Sequence, residues 1–433
     1  VDPRSRRQRA RHRAAEGDPV AERAGTERWL VGVTEYAGLT GYTGGIGRHY
    51  ASLLPALVRR GVGIDLIVFS DEPRPAVDTI DGVRLLGWHR LRRVPAVALP
   101  LARAGVFRRA FGRGRYAAVF APEWAGVAAL LPRRAPLVTN LATSTRVANR
   151  VAGFRLRSFG RRRFAVAAQS LLEDRQIRRS RGLVPISRAM LAANRRELGA
   201  LPAAIVVRNC IDVSRVQDAA PRASLPPGWP TEPTAQAEQT EQTEQTEQTE
   251  QTVLFLGRLE RRKGVVAAMA ALARILPARP ELRFVLAGSS GDARFEPDRA
   301  ELLAMAPLEC RDRVVFLGHV AGDELYRGIV SADVVICPSL WEGFGQVALE
   351  AKALGTPVVV TGGSGYDDFC TDGVDALVVP PGDDAALAAA VTRLLADPTL
   401  RARIAATARA GMHAYTADAV APDIHAAVHR LLD

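Results

Sequence analysis

Two short segments have the residue types and spacing that chemistry needs. In the first, GRLERRKG at residues 257–264, a short apolar run gives way to a helix. Gly257 at the strand end lets a ligand approach the backbone, while Arg258 and Lys263 can converge on a diphosphate beside a helix N-terminus, where backbone N–H groups are free. Of the 58 Lys+Arg in the chain only Lys263 and Lys352 are lysines. An arginine-saturated chain that keeps a compact ammonium here points to a need for a point charge, not a planar fork. The competing reading is an exposed lysine at a helix start. The second segment is PSLWEGFGQVALEAKALGTPVV, residues 338–359, ordered as strand end, glycine-rich turn, helix and strand. Glu342 falls in the turn and Glu350 one to two helical turns on, so the pair can hydrogen-bond different parts of one elongated ligand. The amides of Gly343, Phe344 and Gly345 stand at the helix N-terminus, ready for sugar hydroxyls or phosphate oxygens. Two exposed glutamates on a capped helix are the alternative.

The N-terminal half offers weaker signals. TGGIGRHY at residues 43–50 is a glycine-rich turn with Gly44, Gly45 and Gly47, followed by His49, which is either a titratable imidazole at a cleft or part of the first turn of a surface helix. APEWAG at residues 121–126 puts Glu123 and Trp124 beyond a strand end, fit to hold a sugar or cyclitol, or else to serve as a capping carboxylate and a core indole. Asp367 and Asp368 are adjacent but lack a third ligand and read as a turn.

These residues require a scaffold of alternating strands and helices. Residues 28–36 form a buried strand, 50–60 an amphipathic helix and 64–69 a second strand; further short apolar strands end near Phe120, Thr139 and Ile186. After a Pro-rich stretch and five copies of Glu-Gln-Thr at 238–252, the alternation resumes with strands at 253–257, 282–288, 314–317, 334–337, 356–360 and 376–379, and it ends in a helix at 420–432. Continuous apolar strands between helices are the grammar of parallel sheets. The expected fold class is α/β, with two Rossmann-like doubly wound lobes whose sheets face each other across a ligand cleft. The divisions are a disordered basic arm (1–27), an N-terminal acceptor-side lobe (28–212), a linker (213–252), a C-terminal donor-binding lobe (253–415) and a final helix (416–433) that packs towards the N-lobe.

Composition narrows the class further. A chain of 433 residues, 48% hydrophobic and 24% charged, is an ordinary globular protein large enough for two cores. Its longest weakly polar stretch, 94–106, contains Arg103 and is too short to span a bilayer. Four cysteines without CxxC or Cys/His spacing argue against both a zinc site and disulfides, and no secretory signal is visible, so a cytoplasmic protein without metal is expected. Residues 1–212 carry 38 Lys+Arg against 16 Asp+Glu, while the remainder is net acidic. The basic half suits an anionic partner, such as the inner face of a membrane or a phosphorylated acceptor; solvated arginines are the alternative. Basic residues without interleaved aromatics argue against nucleic acid.

Taken in order, the two C-terminal segments resemble glycosyltransferase family 4, the retaining GT-B sugar transferases. TGGIGRHY, VPIS (184–187), VVRNCID (206–212), FLGHV (316–320) and GVDALVVPPGD (373–383) extend the resemblance from Trp29 to the end of the chain. It implies that Arg258 and Lys263 clamp the diphosphate of a nucleotide-sugar donor, a co-substrate and not a cofactor. It also implies that Glu350 binds the ribose hydroxyls, that Glu342 with the amides of Gly343, Phe344 and Gly345 holds the transferred sugar, and that the backbone of Gly318, His319 and Val320 frames the base. Gly44, Gly45 and Gly47 would close over phosphates and acceptor. A retaining front-face transfer then needs no enzymic nucleophile, because the positive clamp stabilises the leaving diphosphate. One departure stands out: where relatives carry a histidine after the N-lobe strand, TNLATST at 139–145 places Ala142, leaving Asn140 and Thr143 as substitutes. An epimerase on the same scaffold would need an acid/base set in the cleft, and a non-catalytic nucleotide-sugar-binding protein would need none.

Overall fold

The structure is a computed structural model that describes residues 27–230 and 250–433 except positions 42, 156, 157, 159, 161 and 321. The expected basic arm, apart from Glu27, and most of the Glu-Gln-Thr repeat lie outside the described residues.

The N-terminal lobe contains β1 (Arg28–Val33), α1 (Gly45–Arg59), β2 (Gly63–Phe69), β3 (Thr79–Ile80), β4 (Val83–His89), α2 (Leu99–Phe111), β5 (Ala118–Pro122), β6 (Leu137–Leu141), α3 (Thr145–Val151), α4 (Arg163–Arg179), β7 (Gly182–Pro185) and α5 (Arg188–Leu198). Its sheet runs β3-β4-β2-β1-β5-β6-β7, parallel except for the short β3–β4 hairpin. Without β3, this is the doubly wound order in which the chain reverses direction between β1 and β5. Strands β1, β2, β5, β6 and β7 are almost wholly buried runs, whereas β4 alternates buried and exposed residues. That mixed pattern is why the sequence reading passed over β4.

The C-terminal lobe repeats the order. It contains β8 (Gln251–Leu256), α7 (Val265–Ile275), β9 (Leu282–Ala287), α8 (Arg299–Ala304), β10 (Val314–Gly318), α9 (Asp323–Val330), β11 (Val334–Cys337), α10 (Gln346–Leu354), β12 (Val358–Thr361), β13 (Leu377–Val379), α11 (Asp384–Ala396) and α12 (Pro398–Ala410). The sheet runs β10-β9-β8-β11-β12-β13, all parallel, with its reversal between β8 and β11.

Two boundaries differ from expectation. The stretch taken as linker is structured at both ends. Asp212 accepts the Arg215 N–H at 3.0 Å and caps α6 (Val213–Ala219), which packs on α9 and α10, and Gln251 already belongs to β8. A capping carboxylate three residues before the amide it holds is a local signal, overshadowed here by the repeat that follows. Likewise α1 begins at Gly45, not Tyr50, because the Glu35 carboxylate satisfies the amides of Gly44 and Gly47, each at 2.9 Å.

The last helix, α13 (Ala417–Leu432), leaves the C-lobe and packs on α1, β6 and β7. Val420, Ile424 and Val428, four residues apart, form its buried stripe. Full burial of each is worth about 1.5–3 kcal/mol relative to exposure. A second apolar cluster crosses between the lobes, joining Ala142, Ile186 and Met190 to Phe344 and Tyr366.

Candidate active site

The carboxyl ends of both sheets point into one cavity of about 390 Å³, and both reversal points open onto it. Glu35 and Trp124 reach it from beyond β1 and β5; Leu256, Arg258, Cys337 and Ser339 reach it from the ends of β8 and β11. Ligands of doubly wound sheets bind at such crevices. The lobes are tied around the cavity by Ser187 Oγ donating to the Gly343 carbonyl at 2.6 Å and by Arg188, whose backbone N and Nε each donate to Asp368 at 2.8 Å. Asp367 accepts the Gly363 amide, so these aspartates brace a turn and a lobe contact.

On the C-lobe wall the local backbone is shaped for close approach. Gly264 has φ +76°, and an added Cβ would lie 1.8 Å from the Pro338 carbonyl oxygen, so only glycine lets α7 start against the strand end of β11. Its neighbour Lys263 lines the cavity and forms an ion pair with Glu342, their side chains 24% and 17% exposed. Burial alone would raise the Glu342 carboxyl, but Lys263 and then Arg262 hold it below its ordinary range. Arg258 and Arg262 both line the cavity and share Glu260, at 2.7 and 3.0 Å. Sequence reasoning missed Arg262, which was hidden in a run of three basic residues. The three cations are thus balanced by two carboxylates, Glu260 and Glu342, with which an incoming anion must compete. Gly343, Phe344 and Gly345 line the same wall; Gly345, at φ +109° and against the Tyr366 ring, precedes α10.

Several expected positions stand elsewhere. Glu350 is not at the cavity wall: it is 1% exposed, and the Arg48 guanidinium crosses from the other lobe to hold it at 2.5 Å. Burial pushes the Glu350 carboxyl up against the opposing pull of Arg48. Gly257 closes on β9 through its N–H to the Ala287 carbonyl at 3.0 Å, and neither it nor Gly318, His319 and Val320 lines the cavity. Residues 318–319 are exposed at the end of β10, the far edge strand of the sheet. Gly44 and Gly45 line the cavity but Gly47 does not, and the amides of Gly44 and Gly47 are taken by Glu35. The anion seat of this turn is filled by the chain's own carboxylate, a residue the sequence reading did not single out.

The N-lobe wall is formed by the β6–α3 loop. Asn140 lines the cavity, yet its amide is spent on the Val184 carbonyl (2.8 Å) and the Tyr50 hydroxyl (3.3 Å). Thr143 lines it too, its hydroxyl turned back to the Ala142 carbonyl at 2.5 Å. Ala142 faces Gly343 across the lobe contact. Glu123 is fully buried and off the cavity wall: it accepts the Ala142 N–H at 2.8 Å, and burial lifts its carboxyl to about 8. Glu173 braces the same loop from below through the N–H and hydroxyl of Thr145, its carboxyl lifted by burial to about 7. Glu123 therefore shapes the loop, and Trp124 is the member of that pair that reaches the cavity.

His49 is 2% exposed, not part of a surface turn, and burial lowers its imidazole to about 4. Nδ1 accepts the Cys210 N–H at 3.3 Å, so the neutral ring carries its proton on Nε2. That Nε2, Asn209 Oδ1 and Gln346 Oε1 are buried atoms of cavity-lining residues with no partner among the described residues. One donor and two acceptors waiting at the cavity suit a hydroxyl-rich ligand or ordered water.

Residues 43–215 match the sequence profile described as Glycosyltransferase Family 4, and residues 236–411 the profile described as Glycosyl transferases group 1. The D-inositol 3-phosphate glycosyltransferase of Acidothermus cellulolyticus is 41% identical over 157 residues, which is 35% of each chain. The chain thus matches only about a third of that relative's length. The glycogen synthase of Mycobacterium tuberculosis is 29% identical over 397 residues, 84% of this chain and 86% of the relative. Among solved structures, Anabaena HepE in complex with UDP-glucose has the same two-lobed fold, with a TM-score of 0.66 at 19% identity over 93% of this chain and 99% of that one.

Proposed function

Because the chain belongs to glycosyltransferase family 4, a family of retaining GT-B enzymes, we propose that it moves a hexose from a nucleoside diphosphate sugar to an acceptor hydroxyl, keeping the anomeric configuration. The observation that carries this reading is the cavity itself. Arg258, Arg262 and Lys263 gather on its C-lobe wall, and unpartnered polar atoms of His49, Asn209 and Gln346 stand where the lobes meet. The cations suit a diphosphate and the neutral polar groups suit sugar hydroxyls.

Lys263 and Arg258 draw the diphosphate in and stabilise the charge that builds on it as its bond to the anomeric carbon breaks; the departing diphosphate oxygen takes the proton that the acceptor hydroxyl gives up as its oxygen bonds that carbon. Glu342, surrendering part of its hold on Lys263, accepts hydrogen bonds from hydroxyls of the transferred sugar, with the amides of Gly343 to Gly345 beside it. His49, neutral over the working pH range, donates from Nε2 and takes no proton. The acceptor enters from the side of Trp124 and Thr143.

The likeness to HepE solved with UDP-glucose makes UDP-glucose the first donor to try. A phosphorylated acceptor is favoured by the relative named for D-inositol 3-phosphate and by the excess of positive charge in the N-lobe. A lipid-linked acceptor draws support from the packed pair α2 and α4, where the exposed Leu101, Phe164 and Leu171 lie among the exposed Arg108, Arg109 and Arg163. No described helix is long and apolar enough to cross a membrane.

A thermal-shift panel of UDP- and GDP-sugars tests the donor, because a ligand bound to the folded state raises the melting midpoint by mass action. One nucleotide sugar should stand out, and a panel with no shift would refute the reading. Sedimentation with acidic and neutral vesicles tests the surface: salt-sensitive binding to acidic vesicles alone is expected for a lipid-linked acceptor, and no binding removes it.

A further inference from the structure

On the far side of the N-lobe from the cavity, three side chains from opposite ends of the chain converge. His425 and His429 stand four residues apart on α13, so both rings leave the same face of the helix, and Glu27 immediately precedes β1. His425 Nε2 lies 2.9 Å and His429 Nε2 3.1 Å from the same oxygen, Glu27 Oε2, and the two ring nitrogens are 3.3 Å apart. These are three edges of one small triangle of Lewis bases. In a tetrahedral zinc site with bonds of roughly 2.0–2.1 Å, neighbouring donor atoms are about 3.3 Å apart. The triangle is therefore one face of that tetrahedron, closed in slightly.

The supports behind the triangle are rigid. Trp29, fully buried, donates its indole N–H to Glu27 Oε1 at 2.5 Å and so fixes the carboxylate, whose Oε2 faces both histidines while Oε1 also lies 3.1 Å from His429 Nε2. Its ring stacks on His425 at 5.8 Å and 5°. The Glu27 carbonyl accepts the Gly63 N–H at 2.8 Å, fixing its backbone to the sheet. Such outer partners orient metal ligands. The Glu27, His425 and His429 side chains are 23%, 33% and 47% exposed, which leaves an entry path and room for a water as fourth ligand.

We propose that Glu27, His425 and His429 form a zinc site that clasps the C-terminal helix to the first strand of the N-lobe. Two imidazoles and one carboxylate select zinc or a similar transition metal over magnesium, which wants an octahedron of oxygens. Glu27 is at the amino end of β1, whereas the cavity lies at the carboxyl ends, so this metal is structural and separate from sugar transfer. Cysteine and Cys/His spacing, which argued against a zinc site, could not see a carboxylate brought next to two helical histidines from the far end of the chain.

The test uses the full chain, free of any purification tag and stripped with chelator, titrated with zinc chloride against a chromophoric competitor and followed in parallel by thermal melting. One zinc per chain and a rise of a few °C in melting midpoint at about 100-fold excess over Kd are expected, with no response to magnesium. His429→Ala, at a half-exposed position, should melt like the zinc-free parent and lose at least ~10-fold in zinc affinity. As a check independent of any variant, Co2+ should give the intense visible absorption of a four-coordinate site. Absence of stoichiometric zinc uptake, uptake undiminished in H429A, or only the weak bands of octahedral cobalt would each overturn the proposal.

Discussion

Replacing Glu342 by Gln should move ligand affinity and turnover in opposite directions. In the free protein Glu342 neutralises Lys263, and both side chains are mostly buried. A diphosphate arriving at Lys263 must share an ammonium already engaged in a charge-assisted contact, a kind worth about 1.5–3 kcal/mol. Three N–H donors on that ammonium let it serve both partners, so part of this is kept. Removing the carboxylate charge also ends its repulsion of the phosphates, at an effective dielectric near ~20. The net gain is about 1–2 kcal/mol, so UDP, which has no sugar for Glu342 to hold, should bind Glu342→Gln roughly 5- to 30-fold more tightly. Sugar transfer should fall by about 100-fold or more, because a group that positions the reacting sugar is lost. Isothermal titration with UDP and a turnover assay with UDP-glucose give the two numbers. Weaker UDP binding, or turnover left intact, would refute the reasoning.

Two other expectations concern buried charge. Arg48→Met strands Glu350, and breaking one partner from a buried pair costs about 3–5 kcal/mol; with Arg48 27% exposed the lower half of that range is expected in urea unfolding, and adding Glu350→Gln should restore most of it. For pH, His49 falls to about 4 on folding from an ordinary 6.5, so its contribution is complete above pH 6.5 and drains away as pH drops towards 4, by up to about 3 kcal/mol. Glu123 runs the other way: raised to about 8 from 4.5, it binds a proton on folding and costs stability as pH climbs from 4.5 to 8. Unfolding of His49→Gln should therefore be flatter than the parent at pH 4–6.5, and Glu123→Gln should gain on the parent between pH 4.5 and 8. Parallel pH profiles of the parent and both variants would contradict these assignments.

Local pattern revealed the two doubly wound lobes and the C-lobe wall, because continuous apolar strands, glycine turns and capped helices are written in short stretches. VLFLG followed by GRLERRKG told where Lys263 would stand, and WEGFG told where Glu342 would. What escaped was long-range pairing. Nothing near Glu350 announces that Arg48, 302 residues earlier, will occupy it. Nor does TGGIG reveal that Glu35 will fill its amides. Glu123 resembled a cleft residue because it follows a strand end, but the chain turns there through Ala125, at φ +67°, and folds the carboxylate under the next loop. His425 and His429 stand four residues apart in the last helix, but the sequence reading did not single them out, and their partner is at residue 27.

In the proposed reaction, donor binding depends most heavily on the cations of the C-lobe wall. Titrating UDP-glucose into the parent and into the Arg258→Met, Lys263→Met double variant measures that claim directly. Both positions line the cavity and Arg258 is half exposed, but Lys263→Met leaves the mostly buried Glu342 without its cation, so the melting midpoint should fall and the titration is run well below it, where the variant is folded. Loss of two charge-assisted contacts should weaken binding by about 3–5 kcal/mol, beyond 100-fold. A double variant that binds UDP-glucose as tightly as the parent would contradict the account.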